Sequence, residues 1–151
     1  MSQTQGFRLG FLTGLRSMAT LSVLAHYASK NPSGSNLPDL LKLPQVATLL
    51  KVAAVGEIIG DKIPFIPNRT AQQPLFGRVI IGGFIGGVLD ADDRFRGAIY
   101  GALGAVVGSY IGMIIRRRIG RLYGIPDPIL ALIEDGITYA LAREWVTNPT
   151  T

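Results

Sequence analysis

Residues 97–115 read Gly97-Ala98-Ile99-Tyr100-Gly101-Ala102-Leu103-Gly104-Ala105-Val106-Val107-Gly108-Ser109-Tyr110-Ile111-Gly112-Met113-Ile114-Ile115, nineteen positions without a charge. As a helix this run is about 28 Å long, close to the roughly 30 Å of a bilayer's hydrocarbon core. Gly97, Gly101, Gly104, Gly108 and Gly112 recur at spacings of four, three, four and four. They therefore share one face and form a glycine zipper on which another helix can pack closely. In water each interior glycine costs a helix about 1 kcal/mol relative to alanine. Such a helix is expected in lipid or under tight burial. Arg116, Arg117, Arg118 and Arg121 close the run.

The rest of the chain follows the same habit. Of 151 residues, 48% are hydrophobic and only 17% charged, against roughly 25% charged in soluble domains. The nineteen glycines fall mostly inside apolar runs, as in membrane helices. The expectation is an all-α polytopic membrane bundle of four to five spans with glycine-zipper packing. It is one domain over 7–146, with helices near 7–28, 45–62, 75–89, 97–118 and 128–145. Residues 1–6 and 147–151 are expected as loose tails. Residues 79–89 are short for a span at about 16 Å, so that helix crosses only if Arg78 snorkels. The net charge of +5 brackets apolar segments and carries no nucleic-acid recognition signature, so no nucleic-acid partner is expected. The chain has no cysteine, which excludes disulfides and thiolate chemistry. With the N-terminus cytoplasmic and five spans, eight flanking basic residues fall inside and five outside, giving an outer C-terminus.

Charge inside the apolar segments points to a site. Gly56-Glu57-Ile58-Ile59-Gly60-Asp61-Lys62-Ile63-Pro64 puts Glu57 and Asp61 on one helix face, with Gly56 and Gly60 as a close-packing strip. Arg16 sits about ten residues into the first helix and needs an acid partner, since an arginine at bilayer depth costs on the order of 3 kcal/mol. Glu134 and Asp135 supply two more acids at depth. They point about 100° apart, and Glu134 shares its face with Asp127 and Thr138. The candidate ion or solute site is thus Glu57, Asp61, Arg16, Glu134 and Asp135, with Glu134 preferred over Asp135. Paired acids in the second and last helices fit an inverted pseudo-repeat, a transporter plan. His26 reads as an interfacial residue rather than a ligand. No nucleophile–base pair, metal-ligand spacing or cofactor fingerprint is present, so neither a cofactor nor a metal is expected.

The motifs Gly14-Leu15-Arg16-Ser17, Glu57-x-x-x-Asp61-Lys62-x-Pro64 and Asp127-Pro128 with Leu132-Ile133-Glu134-Asp135 resemble an uncharacterised bacterial membrane family, domain of unknown function forty-one twenty-six. The resemblance spans roughly residues 10–141 and implies a small multi-span protein of the bacterial inner membrane, with no activity attached. The glycine-rich third and fourth helices depart from that pattern.

Three functions fit these residues. The leading one is a transporter- or channel-like protein binding a proton, cation or small solute. The second is a structural or assembly protein whose charges only fasten helices, its glycine faces open to homo-oligomer contacts in the bilayer. A lipid-modifying enzyme is weakest, because carboxylates alone offer only general acid–base chemistry.

Overall fold

The computed structural model describes residues 3–33, 37–60 and 72–148. Among these the fold is all helical, with seven helices and no strand: α1 (Gln3–Leu15), α2 (Ser17–Lys30), α3 (Asp39–Lys42), α4 (Pro44–Gly60), α5 (Gln72–Leu89), α6 (Arg94–Tyr123) and α7 (Asp127–Thr147). One of them, α6, is long and apolar enough to cross a bilayer, and Leu75–Leu89 forms a shorter apolar helix.

The helix α6 is the spine. It starts three residues before the uncharged run, because the Asp93 carboxylate accepts a hydrogen bond from the Arg96 N–H at 3.0 Å and caps the first turn. It ends at Gly124, whose φ of 63° gives the left-handed C-cap that glycine adopts without strain. Helices α1 and α5 lie against α6 and against each other, and glycine sets how near they come. A Cβ on Gly10 would land on the Gly101 carbonyl, one on Gly104 on that of Phe7, and one on Gly86 on that of Gly97. The zipper is therefore consumed inside this chain, between α1, α5 and α6. The second half of the fold is looser. Helices α4 and α7 both pack on α2, and neither packs substantially on the other.

Around a buried core that includes Leu9, Leu12, Leu24 and Ile85, the outer surface is rich in large apolar side chains. On α6 the buried positions are Gly97, Gly101, Gly104, Ala105, Gly108, Ser109 and Gly112. Its large residues, such as Leu103, Ile111 and Ile115, are exposed, as are Leu49 and Val52 of α4, Phe76 and Ile80 of α5, and Ile133 and Ile137 of α7.

Three expectations need correcting. The segment 7–28 is not one helix: the chain breaks at Arg16, where φ −145° and ψ 106° are extended. The N-terminus is not loose from residue 3 onward. Gln5 is buried and donates to the Trp145 carbonyl at 3.1 Å. Gly56 does not pack against another helix: a Cβ there meets nothing within 4 Å, because α4 turns Ala47, Leu50 and Glu57 towards α2 instead. Gly60 ends α4, and its surroundings fall outside the described residues. These two environments predict opposite outcomes. Gly10→Ala should destabilise by about 1–3 kcal/mol through overpacking against backbone. Gly56→Ala should stabilise by up to about 1 kcal/mol through helix propensity. Thermal unfolding of the two purified variants checks both signs.

Candidate functional site

The break at Arg16 creates two helix ends inside the structure. In a continuous helix the N–H groups of Ser17 and Met18 would bond to the carbonyls of Thr13 and Gly14. Here they point at Glu57, whose Oε1 accepts from Ser17 at 3.2 Å and whose Oε2 accepts from Met18 at 3.0 Å. The freed carbonyls find donors on other elements. Arg78 Nη1 donates to Gly14 O and, at 3.2 Å, to Leu15 O. Ser109 Oγ lies 3.0 Å from Gly14 O, and Ser17 Oγ lies 3.4 Å from Thr13 O. An acid thus caps the N-terminus of α2 and an arginine caps the C-terminus of α1, each matching the sign of the helix dipole it faces. The two caps also pair with each other, with Arg78 Nη2 3.8 Å from Glu57 Oε1.

Arg16 itself has no exposed surface. Its guanidinium pairs with Asp135 of α7 through Nε and Oδ1. Glu134, the preceding residue, faces away as the 100° step requires, and it meets Arg116 of α6 at 3.4 Å. Arg116 also holds Asp127 through Nε at 3.1 Å and through Nη2. Gly112 makes room for this arrangement, since a Cβ there would sit 3.0 Å from Glu134 Oε1.

Each described acid of the expected site is therefore paired with an arginine, and Arg116 is shared between Glu134 and Asp127. Glu57 pairs with Arg78, Asp135 with Arg16, and Glu134 with Arg116. The preference for Glu134 as the partner of Arg16 is corrected: Asp135 takes that place. Glu57 does not share a site with Arg16 through side-chain contact, although it binds the backbone immediately after it. Asp61 and Lys62 lie outside the described residues. Arg78 does not snorkel. It is buried and directed into the break. Sequence reasoning missed Arg78, Arg116 and Ser109 as members of this network. For Arg116 a signal existed, since Asp127 and Glu134 are seven residues apart and so share a helix face.

Beside the break lies a cavity of about 960 Å³, walled by α2, α4 and α7. It extends from Ala19 to Asn31 along α2 and from Asp135 to Thr147 along α7. Asp135 lines the end nearest the break and connects the cavity to buried Arg16. Apolar and aromatic side chains, among them Val23, Val55, Ile58 and Tyr139, make much of the wall. Towards the other end stand His26, Lys30, Lys51 and Arg143, and Lys51 Nζ reaches His26 Nδ1 at 3.0 Å.

A carboxylate already paired with arginine is a poor ligand for a cation, because the guanidinium repels it. The polar groups left to face a solute here are chiefly basic. No protein-family model, no curated protein and no solved structure matches the chain, so the family resemblance rests on its motifs alone.

Proposed function

We propose that this is a four-span membrane protein that binds a small solute in the α2/α4/α7 cavity and carries it across the bilayer. On this reading α4 to α7 are the spans, and α1 and α2 form a hairpin that enters from one face, turns at Arg16 and returns. Gln5 donates to the Trp145 carbonyl and Arg8 lies over the Trp145 ring, which sets the two termini on the same side, against the expected five-span arrangement with an inner N-terminus and an outer C-terminus. The observation that carries the proposal is that Asp135, ion-paired to wholly buried Arg16 beside a helix break, also lines a cavity of ligand size. Cavities of roughly 300–1,000 Å³ are typical of small-molecule sites, and discontinuous helices with charge-capped ends are typical of solute sites in transporters. The bilayer reading is supported by the exposed large apolar side chains on α4 to α7 and by small residues at the helix contacts.

The test is solute entry into proteoliposomes followed by stopped-flow light scattering, with glycerol, acetate, phosphate and potassium chloride as probes. At least one should enter faster than into protein-free vesicles, and Ala54→Trp, which narrows the cavity, should reduce that rate at least tenfold. Equal rates for all probes with and without protein would sink the proposal.

A second reading has its own support. Every described acid of the site is bound to an arginine, and Glu57 and Arg78 hold the two helix ends at the break. On that reading the charges only fasten helices. It predicts that Asp135→Asn lowers the unfolding temperature and that no probe enters.

A further inference from the structure

We infer that the α2/α4/α7 cavity takes an anionic single-chain amphiphile, its charged head among Lys30, Lys51 and Arg143 and its chain directed down towards Asp135. The inference deepens the proposal above and rests on its bilayer reading.

Charge comes first. Among the described residues no ion pair engages Lys30, Lys51 or Arg143, whereas the one acid in the lining, Asp135, is neutralised by Arg16. The cavity therefore carries a surplus of about three positive charges, and Lys51 leans on His26 rather than on an acid. A wall with low-dielectric surfaces focuses such a field onto an anion.

Shape comes second. The basic groups come from three different elements and gather towards one end: Lys30 at the last turn of α2, Arg143 in the last turns of α7 and Lys51 in the first half of α4. The other end is apolar, with Ala19, Val55 and Ile58 around Asp135. From Ala19 to Lys30 the α2 axis rises by about 16 Å. Half of a roughly 30 Å hydrocarbon core is about 15 Å, which is the depth occupied by one acyl chain. An inorganic anion would satisfy the basic end and leave the apolar length wet. A neutral lipid chain would fill the length and leave the charges unmatched. The C-terminal ends of α2 and α7 place the head at the same face as Gln5, near the start of α1.

Trp145, the single tryptophan, is on α7 next to the cavity residue Val146 and supplies the measurement. Protein in phosphatidylcholine nanodiscs is titrated with a dansyl-labelled fatty acid, and energy transfer from Trp145 is read. Saturable transfer is expected, displaced by unlabelled oleate and not by lysophosphatidylcholine or inorganic phosphate at equal concentration. The triple variant Lys30→Gln, Lys51→Gln, Arg143→Gln should weaken binding at least tenfold. All three side chains are exposed, so its unfolding temperature should stay within a few degrees of the parent. Val55→Phe, which fills the wall without touching charge or adding a second tryptophan, should weaken binding as well. Unchanged affinity in the triple variant overturns the inference, as does displacement by phosphate or by dodecyltrimethylammonium as effective as that by oleate. Binding without flux of any probe would uphold this inference and defeat the transport proposal. Flux of a probe with no fatty-acid binding would do the reverse.

Discussion

Replacing Arg16 by leucine is expected to destabilise the protein by about 3–5 kcal/mol, the usual result of removing one partner from a buried ion pair. The guanidinium has no exposed surface and its acid, Asp135, is 12% exposed on its side chain. Solvent can therefore do little to screen the charge left behind. The size of the effect comes from that stranded carboxylate more than from the attraction lost. It follows that Arg16→Leu combined with Asp135→Leu should recover most of the loss, because apolar replacement of both partners is commonly near neutral. Chemical unfolding of the two single variants and the double variant in detergent measures the coupling. A double variant less stable than either single one would show that the pair is not the reason for the buried arginine. The same series bears on function. If Arg16 only fastens α2 to α7, the recovered double variant keeps whatever flux the parent has. If the pair is part of a solute site, flux is lost although stability returns.

What the sequence could and could not disclose follows from the range of each interaction. The glycine face of α6 was legible because a spacing of three and four is a local geometric fact. The need of Arg16 for an acid was legible too, since burial of a charge demands a partner whatever the fold. Which acid it takes was not. Glu134 and Asp135 are neighbours, and the choice depends on how α7 is rotated against α2 and α6, which local pattern does not encode. The break after Leu15 was hidden for a sharper reason. No proline or glycine sits at Arg16, so its extended backbone is held by donors and acceptors from residues 40 and more positions away, Glu57, Arg78 and Ser109. Long-range capping of this kind leaves no periodic trace. The ends of α6 were expected at 97 and 118 but lie at Arg94 and Tyr123, where Asp93 and Gly124 are local cap signals that the expectation did not use.

Glu57→Ala is expected to cost about 3–5 kcal/mol, since it strands Arg78 and leaves the Ser17 and Met18 N–H groups without their acceptor. Glu57→Gln should cost less, about 2 kcal/mol, because one amide oxygen can still accept while the amide nitrogen cannot. The more informative variant removes both caps. Glu57→Leu with Arg78→Leu leaves neither charge behind without its opposite, so it should be less destabilised than the sum of its two single variants. Joining α1 to α2 through helical backbone at Arg16 is closed to the chain, because the far ends of both helices lie beside the end of α7, Gln5 against Trp145 and Lys30 in one cavity with Thr147. Amide exchange supplies the direct readout: Ser17 and Met18 should lose protection in Glu57→Ala and stay unprotected in the double variant. Restored protection in the double variant would mean that the two charged caps alone keep α1 and α2 from forming one helix.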